Sequence, residues 1–131
     1  MFKNVLFPIE LNPEARKAIE LTANMVRIHQ SQLTILSVVE EDAEGAMANE
    51  KQVSKLLDKA KSFFSSQGIQ AVALEKIGVP AFTICDVADD INADLIIMSC
   101  RGLGLIDEEA ALESVTNRVI NLANCPVLVV S

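Results

Sequence analysis

Short apolar runs alternate with amphipathic stretches along the whole chain, and that alternation predicts its elements. Asn4 to Ile9 (NVLFPI) is an apolar run of the length of a buried strand. It stops at Glu10-Leu11-Asn12-Pro13, where Asn12 is placed to cap a helix and Pro13 to occupy its first position. Ala15, Ala18, Ile19, Thr22, Met25 and Val26 then recur at three- and four-residue spacing, which predicts a helix to about His29. Leu33 to Val39 (LTILSVV) reads as a second strand. Glu40 to Glu50 is acidic and of low complexity, a connection or the frayed start of a helix. Val53, Leu56, Leu57, Ala60, Phe63 and Phe64 form the cleanest amphipathic stripe, which Ser65 to Gly68 ends. Ala71 to Glu75 predicts a short third strand, and Gly78-Val79-Pro80 opens a third helix with Ile84, Val87, Ala88 and Ile91 inward. Asp94 to Met98 (DLIIM) is the fourth strand, followed by a loop from Ser99 to Asp107. A last helix is predicted from about Glu108 to Ala123, and Pro126 to Val130 (PVLVV) is the fifth strand.

Strands alternating with helices require right-handed crossovers, hence an α/β fold with a parallel sheet and helices on both faces. No internal repeat is visible, and 131 residues make one domain, 1–131. Half the residues are apolar, yet there are five Phe and no Trp or Tyr, so the core is built from Val, Ile, Leu and Ala. A formal net charge of -7 argues against nucleic acid or an anionic membrane surface as partner. No apolar run approaches the ~20 residues of a membrane span, and no basic segment precedes a signal-like apolar core. A cytoplasmic, soluble protein is the expectation. Cys85, Cys100 and Cys125 form no C-x-x-C and read as reduced residues in or near the core. Doubly wound sheets place their ligand beyond the carboxyl ends of the strands, where strand order reverses. With the first strand central, that crevice lies between Pro8-Ile9-Glu10 and the loop after Met98.

Candidate chemistry is sparse. Ser99-Cys100-Arg101-Gly102-Leu103-Gly104 follows a strand and leads to a helix, so its backbone N–H groups suit an anion; two glycines equally suit a plain tight turn. Cys100 beside Arg101 is either a redox-sensing thiol or a small filler. His29 ends the first helix, where it serves the helix dipole or solvent rather than catalysis. Asp86, Asp89, Asp90 and Asp94 read as a solvated face, and Phe63 and Phe64 as core. Neither catalytic residues nor a metal site are expected.

NVLFPIELNPEARKAIELT, LTILSVVEE, DLIIMSCRGLG and ESVTNRVINLANCPVLVV occur in the order and at the intervals of one family. Through them the whole chain resembles the universal stress protein family. The resemblance implies an open five-stranded sheet of order 3-2-1-4-5, Rossmann-like and similar to the adenine nucleotide alpha hydrolases. It also implies a homodimer formed by antiparallel pairing of last strands, here Pro126, Val127, Leu128, Val129 and Val130. That agrees with a wholly apolar strand that would otherwise leave an exposed edge.

Many members of the family bind ATP through G-x2-G-x9-G-[S/T], and this chain keeps only part of that motif. Ser99 stands at the first glycine and Gly102 matches the second, while Glu113-Ser114 replaces Gly-Ser after ten intervening residues rather than nine. Glu10 stands where an Asp is usual. The resemblance therefore marks Pro8, Ile9 and Glu10, Val38 or Val39 beside adenine, then Met98, Ser99, Arg101, Gly102 and Gly104, and finally Ser114 and Val115. Asp107, Glu108, Glu109 and Glu113 put four carboxylates within seven residues of this segment. Two unit charges about 4 Å apart repel by about 1 kcal/mol in water and about 4 kcal/mol at an effective dielectric of 20. A helix N-terminus attracts an anion by only about 0.3–1 kcal/mol, so a single carboxylate facing a polyphosphate offsets it. Alternatively, Asp107 caps the last helix, with Glu108 and Glu109 in its first turn.

The expectation is a non-enzymatic stress-response or regulatory protein, dimeric, with weak or absent ATP binding and an unidentified protein partner. The alternative is an adenine-nucleotide sensor, for ATP or AMP, using the crevice between strands one and four. A phosphoryl-accepting receiver domain is disfavoured, because strand one ends Pro8-Ile9-Glu10 and strand three near Glu75-Lys76-Ile77, without the clustered acids that chemistry needs.

Overall fold

A computed structural model of the chain describes residues 1–9, 15–40, 50–99 and 114–130. Five parallel strands form one sheet: β1 (Asn4–Pro8), β2 (Gln32–Val39), β3 (Ala71–Ile77), β4 (Leu95–Ser99) and β5 (Val127–Val130). Their spatial order is β3-β2-β1-β4-β5, as expected. Among the described residues four helices connect them: α1 (Ala15–His29), α2 (Glu50–Ser66), α3 (Pro80–Asp90) and α4 (Val115–Leu122).

The pleat sorts the apolar residues between two cores. Val5, Phe7, Leu33, Ile35, Val39, Leu95 and Ile97 meet Ala18 and Val26 of α1 and Val53, Leu57 and Phe64 of α2. Phe7 and Phe64 pack edge to face there, ring centroids 6.3 Å apart. The alternate residues Leu6, Leu36, Val38, Ile96 and Met98 meet Ala81, Ile84, Val87 and Ala88 of α3 and Val119 of α4. Strands buried on both faces explain the unbroken apolar runs of the sequence. Half-buried Cys85 and Cys125 pack against this second core as free thiols, as expected.

Two element bounds differ from the sequence reading by more than one residue. β3 runs on to Ile77, because its main chain pairs with β2 through Glu75↔Ser37, Lys76↔Val38 and Ile77↔Val39, and an edge strand leaves its side chains free to be polar. The last helix begins at Val115 rather than near Glu108. Ser114 is extended (φ -63°, ψ 149°) and its Oγ accepts from the Asn117 N–H at 3.1 Å, the geometry of an N-cap. Asp107 to Glu113 lie outside the described residues, as do Glu10, Asn12, Pro13, Cys100, Arg101, Gly102 and Gly104. Among the described residues no helix is long and apolar enough to cross a membrane.

Candidate functional site

On the α3/α4 face, the carboxyl ends of β1 and β2 open into a recess of about 140 Å³. Pro8 and Ile9 line it from β1, Leu36 and Val38 from β2, Pro80 and Ile84 from α3, and Val115 from α4. Among the described residues one charged residue lines it, Glu40, just past β2.

Local chemistry fixes each wall. The Ile9 N–H donates to the Leu36 carbonyl at 2.8 Å, and the buried Ser37 hydroxyl donates to the Ile9 carbonyl at 3.3 Å. The chain leaving β1 is thus pinned to β2. Beyond β3, the Gly78 N–H donates to the Val39 carbonyl at 3.0 Å. A Cβ on Gly78 would lie 2.5 Å from Thr83 Oγ1 in the first turn of α3, so a larger residue there would make that hydroxyl turn away. Pro80 occupies the first position of α3, where its missing N–H costs no helical bond. Across the recess, Thr116 Oγ1 donates to the Ser99 carbonyl at 3.4 Å and ties α4 to the end of β4.

Both α3 and α4 start at the carboxyl edge of the sheet, so their positive ends face the side on which the recess opens. Ser114 uses an acceptor site to cap α4 and keeps its O–H as a donor to an anion. The recess is smaller than the ~300–1,000 Å³ of sites that enclose a whole drug-sized ligand. Its apolar walls suit one flat ring system, with the more polar parts of a ligand lying outside it.

Of the residues marked in the sequence, Pro8, Ile9, Val38 and Val115 come together in the lining. Ser99 and Ser114 flank it at the ends of β4 and α4. Val39 does not belong: strand parity turns it into the α1/α2 core. Met98 is on the correct face but is buried in the α3/α4 core rather than in the lining. Leu36, Glu40, Pro80 and Ile84 were missed. Alternation along Leu36-x-Val38-x-Glu40 was the available signal for two of them.

The acids in and after α3 are not all a solvated face. Asp94 accepts from the Lys3 N–H at 2.9 Å and the Asn4 N–H at 3.1 Å, holding the start of β1 beside β4. Asp89 accepts from the Asn124 side-chain amide at 3.2 Å. His29 is exposed and stacks edge-on with Phe2, away from the recess. Among the described residues no three His, Cys, Asp or Glu side chains group to hold a metal.

The family model described as universal stress protein family matches residues 1–131. Universal stress protein Sll1654 from Synechocystis sp. is 54% identical, over 99% of this chain and 86% of its own length. Among solved structures, a universal stress protein in complex with cAMP superposes with a TM-score of 0.82 at 18% identity, covering 98% of this chain and 96% of that one. The universal stress protein from Archaeoglobus fulgidus in complex with dAMP gives a TM-score of 0.75 at 18% identity, over 100% of this chain and 98% of that one. At such identity the two structures establish likeness of fold.

Proposed function

The chain belongs to the universal stress protein family, and on that premise we propose that it is a dimeric, non-enzymatic regulator in the cytoplasm whose recess takes an adenine nucleotide of low charge. The carrying observation is the apolar recess at the carboxyl ends of β1 and β2, sized for a base and bordered by the N-termini of α3 and α4. Relatives of the same fold solved with cAMP and dAMP support a monophosphate as ligand. ATP is held weakly or not at all: Gly102 is kept but its glycine partners are not, and four carboxylates crowd Asp107 to Glu113. Among the described residues the recess lining is apolar apart from Glu40, and a sensor is the reading we favour over a hydrolase.

The dimer reading rests on β5. It is an edge strand of four apolar residues, and Val129 on it is exposed. Titration calorimetry at physiological salt tests the ligand reading. AMP is expected to bind with a sub-millimolar Kd, and ATP about tenfold or more weaker, a gap of about 1.4 kcal/mol. ATP binding as tight as AMP or tighter would contradict it.

A further inference from the structure

We propose that Cys85 and Cys125 are a reversible redox site, which an oxidant of the peroxide class joins in a disulfide that clamps α3 to the approach to β5. Both thiols are free, half-buried and packed against the α3/α4 core. Their neighbours bring them together. The Asn124 side-chain amide donates to both carboxylate oxygens of Asp89 at 3.2 Å, which holds the approach to β5 against α3. Cys85 lies one helical turn before Asp89 on the same face of α3, and Cys125 follows Asn124. The Ile96 N–H donates to the Pro126 carbonyl at 3.0 Å, so the chain after Cys125 is also fixed to β4. Burial, Asp89, Asp86 and Cys125 all raise the Cys85 thiol, the last of these a mark of how near the second sulfur stands.

The step balances with hydrogen peroxide as the oxidant. One thiol, as its thiolate, takes an oxygen atom from peroxide to give a sulfenic acid, and water leaves. The second sulfur then displaces that oxygen as water and forms the S–S bond. Each sulfur gives up its hydrogen, and the two electrons reduce one peroxide to two waters. Burial, with Asp89 and Asp86 at Cys85 and Asp89 and Asp94 at Cys125, keeps both thiols protonated. The first event is therefore slow, and the pair stays reduced under mild conditions. The finished bond holds its two Cα atoms about 5.5–6 Å apart. Ile84, beside Cys85, lines the recess, and β5 starts at Val127, just after Cys125 and Pro126. The clamp joins a wall of the recess to the apolar edge strand.

Peroxide treatment of the full chain, then capping with N-ethylmaleimide and mass spectrometry of peptides cut at aspartate, tests this. Such cleavage puts Cys85, Cys100 and Cys125 on separate peptides. The expected product is a single chain with Cys85 linked to Cys125, reopened by dithiothreitol. In urea the same treatment should scatter the links over every pairing of the cysteines. The oxidised chain should melt about 5–10 °C above the reduced one, the scale for closing a long loop. Cys85→Ser and Cys125→Ser should each abolish that rise. Links that favour Cys100 in the folded chain, links between chains, or Cys85 and Cys125 recovered capped would overturn the inference. So would the same selective link in urea, or an oxidised chain that melts with the reduced one.

Discussion

Burial pushes the Cys85 thiol above its ordinary value of 9.0, with the carboxylates of Asp89 and Asp86 and then Cys125 adding to the shift. Cys125 is raised in the same way, by burial first and then by Asp89 and Asp94. Only the thiolate attacks an alkylating reagent. Iodoacetamide labelling at pH 8, resolved by peptide mass spectrometry, should therefore be slower at both cysteines in the folded chain than in urea. Equal rates would contradict it. The folded chain also holds these two protons to higher pH than the unfolded chain, so its stability falls as pH rises above about 9.0. Such effects were not legible in the sequence, because they depend on which acids α3 and the approach to β5 bring together. Asp94 is the same case: its two amide donors lie 90 and 91 residues away. Glu40 sits in an acidic run that reads as solvated, and only the end of β2 brings it to an apolar recess.

Three helices end in one way. The Ser31 N–H donates to Val26, Ile69 to Phe64 and Ala93 to Ala88, each to a carbonyl five residues back, with Gln30, Gly68 and Asn92 at positive φ between. Gly and Asn suit that left-handed position, and Gln30 (φ 53°) does not. Relief of about 1–2 kcal/mol of steric cost exceeds the ~0.5–1 kcal/mol of added chain entropy for glycine. Gln30→Gly should accordingly stabilise the protein by about 0.5–1 kcal/mol in urea denaturation; a loss of stability would refute the cap. Elements whose period was unbroken, such as Val53 to Phe64, were legible because one buried face set their spacing. The start of α4 was not, since acids at 107–109 and Ser114 compete as caps and only the backbone at Ser114 decides between them.

At the scale of the molecule, the strand order followed from βα alternation and the resemblance together, whereas the crevice was expected between β1 and β4 and the recess formed by the described residues lies at the ends of β1 and β2. The two sheet edges are unlike. β3 exposes Glu75 and Lys76, charges that discourage strand addition, whereas β5 is apolar throughout. If β5 joins two copies, Val129→Lys should yield a monomer in sedimentation velocity while the unsubstituted chain sediments as a dimer; an unchanged dimer would move the interface elsewhere. The site itself was half legible. Val38 and Pro8 could be named from strand ends, but α3's contribution of Pro80 and Ile84 depends on the chain crossing β2 at Gly78. The central claim, a nucleotide base lodged between β1, β2 and the first turns of α3 and α4, is tested most directly by titrating ¹⁵N-labelled protein with AMP and following its amide resonances. The largest shifts are expected at Ile9, Val38, Glu40, Ile84 and Val115, and saturating AMP that leaves those five unmoved would contradict the claim.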